Sequence, residues 1–517
     1  MFRHTLVNHF LEYSAARLPD KIALIHGKQR LTYSDIDIMS NRLANFLLSC
    51  GVERGDRIAI FMDNSVEAII SIFGILKAGA AFMMINHTTK AEKLEYILND
   101  SAAKIVLIQT SRAGILKSTR CPKIAAIISA GENATLGHHS YDNIVSSYST
   151  WPIPNICIDL DLASIIYTSG STGQPKGVML SHLNMVSAAH SITTYLENIE
   201  DDVILNVLPM SFDYGLYQVL MAFRMGATLV LEKTFTYPYQ IIEMMIKEKI
   251  TSFPGVPTIF AILLNLKDID KYDFSSLRYI TNTAAALPVS HIKKLRTLFP
   301  TAKLYSMYGL TECKRVSYLP PDQLDIRPTS IGKGMPNEEV YIVNDEGKRA
   351  NPGEVGELVI RGSNVMLGYW NDLVSTSKCI RPGKYPGERL LYSGDLFKAD
   401  DEGYLYFVAR KDDIIKCKGE KVSPKEVENV LYALDGILEA AVLGVDDDIF
   451  GQAILAVVSL DKESKLTAKD VLKHCSQHLE NFMVPKYIEI IPSLPKSANG
   501  KIDKKNLGAA LQPPVSK

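Results

Sequence analysis

The sequence has no excess of charge of either sign, no paired pattern of cysteines and no long hydrophobic run. Its 56 lysines and arginines are balanced by 57 aspartates and glutamates, which leaves a formal net charge of −1. This balance gives no reason to expect a nucleic acid or an acidic membrane surface as partner. The seven cysteines are scattered, odd in number and without metal-ligand spacing. They argue against a disulfide framework and favour a reducing compartment, so a cytoplasmic location is expected.

No segment predicts a membrane span or a secretory signal. Residues 1–20 carry acidic and basic side chains throughout and lack an apolar signal core. The most membrane-like stretch, Ala68 to Ile85, is interrupted by Lys77 and broken by Gly74 and Gly79. A buried helix followed by a strand is therefore expected there.

The order of predicted elements indicates an α/β protein of more than one domain. At 517 residues the chain is too long for one ordinary core. Helices and strands alternate through its first part, which predicts layered α/β subdomains, and turn-linked strands from Glu339 onward predict a β subdomain. A smaller α+β unit follows. We place the boundary between residues 1–411 and 412–517, with a short hinge at Asp412.

A loop rich in small residues organises the rest of the chain. It reads Tyr167-Thr-Ser-Gly-Ser-Thr-Gly-Gln-Pro-Lys-Gly-Val178. Glycines let a backbone approach a ligand closely, and hydroxyls, free N–H groups and a lysine can bind phosphate oxygens, so the loop suits a triphosphate. It is not the usual phosphate loop, because Gly177 rather than Ser or Thr follows Lys176. The candidate nucleotide ligands are Thr168, Ser169, Gly170, Ser171, Thr172, Gly173 and Lys176.

This loop resembles the signature loop of the adenylate-forming enzymes, which include acyl-CoA synthetases, amino-acid adenylation domains and luciferases. Segments 305–312, 392–397, 409–416 and 495–503 also match that family, in the family's order. The resemblance covers essentially the whole chain, although residues before 167 agree in layout only. It implies a large N-terminal domain of two α/β subdomains plus a β subdomain, and a small mobile C-terminal lid domain.

The resemblance also implies the residues that hold the nucleotide. Ala284 and Ala285 would lie against adenine, and Tyr308 would stack on it. Asp395 would accept hydrogen bonds from both ribose hydroxyls, since a carboxylate suits a vicinal diol. Arg410 would bind ribose or phosphate.

Three further residues would carry the chemistry of adenylation, and two would serve the movement of the lid. Thr311 would contact the α-phosphate, and Glu312 would bind Mg²⁺ as a hard oxygen ligand. Lys501 matches the family's mobile catalytic lysine, which bridges the incoming carboxylate and the α-phosphate. Asp412 would be the pivot, and Gly419 would flank the tunnel for the thiol.

The residues that correspond to the family's acid pocket are polar for a long fatty chain, so a short or functionalised acid is expected. Phe212 corresponds to the aromatic residue that borders the carboxylate substrate in this family. Asp213 follows it, at the position where amino-acid-activating members have an aspartate that binds the substrate ammonium. It could equally be neutralised by Lys314 or Arg315. The candidate pocket residues are Phe212, Asp213, Tyr214, Tyr217, Asn282, Lys314 and Arg315.

The resemblance implies a ligase that activates a carboxylic acid with ATP and Mg²⁺ and passes the acyl group to a thiol. Since few residues follow Lys501, a fused carrier domain is not expected, and the thiol is expected from coenzyme A or from a separate phosphopantetheinyl carrier protein. A stand-alone amino-acid-activating enzyme is the alternative; Asp213 favours it, and the acyl-CoA-synthetase-like stretch Gly419 to Pro424 opposes it. A non-catalytic nucleotide-binding relative is opposed by the retained Glu312, Asp395, Arg410 and Lys501. The motifs leave a luciferase-like oxidation open.

Overall fold

The computed structural model describes residues 4–131, 137–169, 174–417, 420–447, 451–461, 463–496 and 501–510. Its first part alternates helices and strands, as the sequence predicts. The helices are α1 His9–Arg17, α2 Tyr33–Ser49, α3 Val66–Lys77, α4 Ala91–Asp100 and α5 Tyr141–Ser147. The strands are β1 Ile22–His26, β2 Gln29–Thr32, β3 Arg57–Phe61, β4 Ala81–Met84, β5 Ile105–Gln109, β6 Ala126–Ala130, β7 His139–Ser140 and β8 Leu162–Ser169.

The second α/β part follows the signature loop. Its helices are α6 His182–Tyr195, α7 Asp213–Met225, α8 Pro238–Lys247, α9 Pro257–Leu264 and α10 Val289–Leu298. Its strands are β9 Pro175–Ser181, β10 Val203–Asn206, β11 Thr228–Leu231, β12 Ser252–Gly255, β13 Tyr279–Asn282, β14 Lys303–Tyr308, β15 Ser317–Leu319 and β16 Lys333–Gly334.

The last two parts are richer in antiparallel strands. The β subdomain holds β17 Glu338–Val343, β18 Gly356–Gly362, β19 Gly368–Tyr369, α11 Leu373–Cys379, β20 Ile380–Pro382, β21 Arg389–Ala399 and β22 Leu405–Arg410. The small C-terminal domain holds β23 Ile415–Cys417, β24 Glu420–Val422, α12 Pro424–Tyr432, β25 Ile437–Asp447, β26 Gly451–Leu460, α13 Ala468–His478, β27 Tyr487–Ile490 and α14 Lys504–Ala510. Short 3-10 helices span Thr110–Ser118, Ile269–Lys271 and Pro321–Gln323.

Over the described residues these strands form four sheets. One nine-stranded sheet has the order β16-β15-β14-β13-β12-β10-β11-β1-β2, and an eight-stranded sheet has the order β19-β9-β8-β4-β3-β5-β6-β7. A five-stranded sheet joins β17-β18-β21-β20 with β22 beside β21, and another joins β24-β23-β26-β25 with β27 beside β26. The fold is thus α/β, with a large N-terminal domain and a small C-terminal one, and this prediction is confirmed.

Buried apolar side chains between the two large sheets hold the N-terminal domain together. Helices α2, α3 and α7 meet there, and the rings of Phe73 and Phe223 lie 4.9 Å apart, with Tyr33 packed edge-on at 5.5 Å from Phe223. The small domain has its own apolar cluster between α12, α13 and its sheet. Burial of such surface drives each domain to fold around its own core.

The membrane-like stretch is a buried helix and strand, as predicted from its lysine. Lys77 lies near the end of α3, and its ammonium donates to Asp37 Oδ1 at 2.6 Å and to Asn41 Oδ1 at 2.7 Å. These partners on α2 compensate for burying the charge. Among the described helices, none is both long enough and apolar enough to cross a bilayer.

Candidate active site

The site lies where parallel strands of the nine-stranded sheet end. Strands β10, β12, β13 and β14 pair in parallel, so their carboxyl ends meet at one edge. Ligands of open α/β sheets bind outside that edge. The segments that leave it are 207–213, 256–257, 283–286 and 309–315, and they include most of the predicted acid and adenine contacts.

The tight turn after β14 needs Gly309. A methyl group there would lie 2.0 Å from the carbonyl oxygen of Lys314, so a larger residue does not fit. Lys314 itself adopts a left-handed backbone with φ of 73°, and Ala284 on the neighbouring segment has φ of 76°. Non-glycine residues with such φ values are strained and cluster at functional sites.

A hydrogen-bonded network joins the sheet edge to the β subdomain. Asp395 on β21 is buried, and its Oδ2 accepts from the Tyr308 hydroxyl at 2.6 Å. Its Oδ1 accepts from Arg410 Nε at 3.0 Å. Each carboxylate oxygen keeps a second lone pair, so Asp395 can still accept hydrogen bonds from a diol. The carboxylate is therefore held in place before any ligand binds.

A cavity of about 460 Å³ opens beside this network, between the two domains. The large domain contributes Ala284, Ala285, Tyr308, Asp395 and Arg410, which are the five residues predicted to hold the nucleoside. The small domain closes the other side with Lys425, Glu428, Tyr432, Lys501 and Lys504. The structure therefore gathers side chains that lie more than 200 residues apart in sequence around one space.

Lys501 reaches this cleft from the small domain. The residue as a whole is exposed, yet its ammonium is surrounded by protein, and this burial lowers the pKa of Lys501 below its usual 10.5. The carboxylates of Asp213, Asp395 and Glu312 act in the opposite direction, whereas Arg410 adds to the lowering. The ammonium thus faces the nucleotide residues and the acid pocket at once.

Glu312, the predicted magnesium ligand, has a partner that the motifs do not show. The Tyr369 hydroxyl donates to Glu312 Oε1 at 2.8 Å, and the Lys176 ammonium lies 5.3 Å from the centre of the Tyr369 ring. Strand β19 adds to β9 with Tyr369 opposite Val178, which brings the tyrosine beside the signature loop. Nothing in the local sequence around Tyr369 indicates that its hydroxyl would bind Glu312.

The acid-pocket candidates form a buried wall next to the cleft. Phe212 precedes α7, and Asp213 is the first residue of this helix. The Tyr214 hydroxyl pairs with Thr281, and Tyr217 on the same helix is buried, with its hydroxyl donating to Met185 O at 3.4 Å.

The remaining candidates are Asn282, Lys314 and Arg315, and the Arg315 guanidinium packs against the Tyr214 ring. Asn282 donates to Ala285 O at 3.0 Å, while its Oδ1 is buried without a partner. Burial lowers the pKa of Lys314 to about 8, and Asp213 and Glu312 limit that fall. No ion pair within 4.0 Å joins Asp213 to Lys314 or Arg315 in the part of the chain described here.

Some predicted residues can be placed and others cannot. Thr168 and Lys176 face each other across the β8–β9 hairpin, and the backbone of Ser169 pairs with Pro175. Thr311 O accepts from Lys314 Nζ at 3.1 Å. Asp412 is exposed between β22 and β23. Five predicted residues lie outside the described part of the chain: Gly170, Ser171, Thr172, Gly173 and Gly419.

Comparison with known proteins assigns this site to a family. The model of the AMP-binding enzymes matches residues 11–370, and that of the AMP-binding enzyme C-terminal domain matches residues 426–501. The chain belongs to the AMP-binding enzyme family. It is 31% identical to a long-chain-fatty-acid–CoA ligase of Bacillus subtilis, over 96% of this chain and 92% of that protein. It is also 30% identical to tyrocidine synthase 3 of Brevibacillus parabrevis, over 97% of this chain and 8% of that protein.

Solved structures of family members superpose on the whole chain. The crystal structure of an anthranilate–CoA ligase in complex with anthranoyl-AMP is 28% identical and covers 98% of each chain, with a TM-score of 0.90. ATP-bound MatB from Rhodopseudomonas palustris is 27% identical, with a TM-score of 0.89, over 98% of this chain and 99% of that one. The resemblance predicted from the motifs is therefore confirmed.

Membership in this family defines the reaction class. The chain is an AMP-forming acid–thiol ligase: it uses ATP to activate a carboxylic acid as an acyl-adenylate and transfers the acyl group to a thiol. The thiol is that of coenzyme A or of a carrier protein. Coenzyme A ligases and peptide synthetases both occur among the relatives, so the family alone does not choose between these acceptors.

Proposed function

We propose that this ligase activates a short, polar carboxylic acid and transfers it to coenzyme A. The observation that carries the proposal is the acid pocket, where Asp213, Lys314 and Arg315 are all buried. A long alkyl chain would have to lie against these charges, whose burial is costly without polar partners. The acyl-CoA-synthetase-like stretch after Cys417 supports coenzyme A as acceptor.

In this proposal the residues around the cavity have distinct roles. Ala284 and Ala285 lie against adenine, Tyr308 stacks on it, and Asp395 and Arg410 hold the ribose. Such positioning accounts for most of the catalysis of phosphoryl-group chemistry.

Formation of the acyl-adenylate takes place beside this nucleoside site. Thr311 contacts the α-phosphate, and the Lys501 ammonium lies between the acid carboxylate and that phosphate. The carboxylate oxygen attacks the α-phosphorus, the bond to pyrophosphate breaks, and the ammonium stabilises the charge that shifts between them. The thiol then attacks the acyl carbon, and AMP leaves. Lys176 and the signature loop, from Thr168 and Ser169 to Gly173, bind the phosphates.

Glu312 is suited to hold a magnesium ion, although the described residues contain no cluster of three metal-binding side chains. Magnesium commonly binds one or two protein carboxylates together with substrate phosphates, so a single glutamate is sufficient. Tyr369 occupies only one oxygen of Glu312, which leaves the other oxygen available. Bound magnesium would neutralise phosphate charge, and Tyr369 would orient the carboxylate that holds it.

The small domain acts as a lid that turns about Asp412, with the domain boundary between residues 411 and 412. Arg410 belongs to the β subdomain sheet, whereas Ile415 already pairs within the small domain. The Asp412 side chain is exposed, and its N–H makes no hydrogen bond within the described structure. Few contacts therefore oppose a rotation there, which would withdraw Lys501 and bring Gly419 to the thiol path.

Reduced cysteines support a cytoplasmic location for the enzyme. All seven cysteines are described, and none of them forms a disulfide. Proteins of oxidising compartments would be expected to pair such residues.

A pyrophosphate-exchange assay over a panel of acids tests the proposal. Short acids with a polar substituent should support exchange at least tenfold better in kcat/KM than alkanoates of ten or more carbons. Product analysis with coenzyme A and with a phosphopantetheinyl carrier protein then identifies the acceptor. Exchange with long alkanoates alone would contradict the proposed substrate, and acylation of the carrier protein alone would contradict the proposed acceptor.

Amino-acid activation is the second candidate, because Asp213 is buried where an ammonium could bind it. Asp213→Ala should then abolish exchange with amino acids and spare acids that lack an amino group. If wild-type protein activates only the latter, Asp213 instead balances the neighbouring cations. Asp270→Ala, a change in an exposed 3-10 helix, serves as the matched control.

A further inference from the structure

Arg315 is a buried arginine without an acidic partner. It lies three residues after Glu312 at the end of the strained turn, and only 4% of its surface is exposed. Its guanidinium carbon is 4.5 Å from the centre of the Tyr214 ring, and the Tyr195 hydroxyl is close enough to interact with it. Its Nε is fully buried and makes no hydrogen bond.

The charges around this arginine do not balance. Among the described residues, no carboxylate lies within 4.0 Å of the guanidinium. Asp213 is the buried anion of the pocket, and it already interacts with the ammonium groups of Lys314 and Lys501. Glu312 accepts from Tyr369, acts on Lys314 and Lys501, and, within the described ranges, makes no ion pair with Arg315. Counted over Asp213, Lys314 and Arg315, the pocket wall therefore carries one negative and two positive charges before the acid binds.

This imbalance distinguishes among acids. A substrate ammonium would add positive charge to a wall that already holds Lys314 and Arg315. An unsubstituted alkyl chain would leave the guanidinium buried and unpaired, which is unfavourable. A second carboxylate would supply the missing negative charge, and its two oxygens match the planar donor fork of arginine.

We propose that Arg315 is a specificity-determining residue that binds a second carboxylate of the substrate, so that the enzyme activates dicarboxylic acids at one of their two carboxyl groups. Tyr214 packs against the face of the guanidinium, so the N–H donors at the edge of the guanidinium plane are directed away from that ring. The inference rests on the proposed function, because it assumes that Phe212 to Tyr217 and Lys314 to Arg315 form the acid pocket.

The test uses full-length protein and matched acids. Pyrophosphate exchange is measured with diacids of three to eight carbons and with the three benzenedicarboxylic acids. Each is compared with the analogue in which the second carboxylate is replaced by a carboxamide, a methyl group or an aminomethyl group. Wild-type enzyme should prefer at least one diacid over all its analogues by 100-fold or more in kcat/KM. Arg315→Gln should reduce that preference at least tenfold, mainly by raising KM for the diacid, whereas KM for the methyl analogue should not rise, because no buried guanidinium is then left unpaired.

Two further variants separate recognition from folding. Arg315→Lys keeps the charge but not the fork, so it should raise KM for the diacid more than for the methyl analogue, even if Arg315→Gln folds poorly. Arg381→Gln is the control. Arg381 is exposed and also stacks on a tyrosine, since its guanidinium carbon lies 3.7 Å from the centre of the Tyr392 ring, and its replacement should leave the preference for the diacid unchanged.

Three results would overturn the inference: no wild-type preference for a diacid, a preference for the aminomethyl analogue, or an unchanged preference in Arg315→Gln and Arg315→Lys. If short polar acids without a second carboxylate are activated well, only the role of Arg315 is wrong. If long alkanoates alone support exchange, the proposed function fails as well.

Discussion

Replacing the buried Lys314 should change the free energy of unfolding by an amount that follows from its surroundings. It is 1% exposed, and burial lowers its pKa from 10.5 to about 8. Each pKa difference of one corresponds to about 1.4 kcal/mol, so the charged form of Lys314 opposes folding by roughly 3 kcal/mol relative to the unfolded chain. Lys314→Met should remove this cost. The lost hydrogen bond to Thr311 O offsets about 1 kcal/mol of it, so a net gain of roughly 2 kcal/mol is expected at pH 7.

The pH dependence of this gain has a definite sign. Between about pH 8 and 10.5 the unfolded chain retains the lysine proton that the folded chain has lost. The free energy of unfolding of the wild type therefore rises with pH in this window through Lys314. The advantage of Lys314→Met should be complete below pH 8 and should disappear as the pH approaches 10.5.

Urea unfolding followed by tryptophan fluorescence measures this effect in the correct domain. Both tryptophans, Trp151 and Trp370, belong to the large domain that contains Lys314. Lys271→Met, at a lysine whose side chain is 71% exposed, is the control and should change stability by less than 0.5 kcal/mol. A less stable Lys314→Met protein at pH 7, or a difference that does not vary with pH, would refute the reasoning.

Three other variants test the roles of single residues. Lys501→Ala should reduce acid-dependent pyrophosphate exchange by ~10²-fold or more yet still convert a supplied acyl-adenylate to thioester, whereas Lys504→Ala, in the same cleft, should change exchange less than tenfold. Equal loss of both half-reactions in Lys501→Ala would contradict a role in adenylation alone. Because the pKa of Lys501 is lowered, the exchange rate of the wild type should begin to decline at a lower pH than it would for a lysine with the usual pKa. Asp412→Pro should keep exchange within about tenfold while thioester formation falls much further, and single-turnover rates of the two steps decide this. Tyr369→Phe should raise the magnesium concentration for half-maximal exchange by about tenfold, and an unchanged magnesium titration would exclude the positioning role.

The positions of Ala284 and Tyr308 could be predicted because each lies at the end of a strand of one parallel sheet, whereas Asp395 and Arg410 lie on the antiparallel strands β21 and β22. Once β13 and β14 are recognised as neighbours, Ala284 and Tyr308 must lie at the same edge. The start of α2 can also be predicted from the sequence. The spacing of Thr32 and Asp35 is typical of a capping box, and Thr32 Oγ1 accepts from Asp35 N at 3.1 Å.

Contacts between distant segments could not be predicted from the sequence. Tyr369 meets Glu312 because β19 adds to the edge of the signature hairpin, a pairing that no local pattern indicates. The sequence also gives no signal for the start of α7 at Asp213, since the first turn of this helix is buried on all sides and shows no amphipathic period. The charge imbalance around Arg315 likewise depends on which carboxylates the fold leaves nearby.

The arrangement of charges links acid recognition to the position of the lid. Asp213 is the strongest favourable charge acting on Lys501, and it also acts on Lys314. In the proposed mechanism the acid brings a further carboxylate to Lys501, which strengthens the attraction that keeps the lid in the cleft. Adenylation removes the charge of that carboxylate, because its oxygen becomes the bridge of a mixed anhydride whose remaining negative charge is on the α-phosphate, and pyrophosphate departs with its own negative charge. In this proposal the attraction that holds Lys501 weakens when its step is complete, so that formation of the adenylate itself favours the proposed rotation about Asp412 before thioester formation.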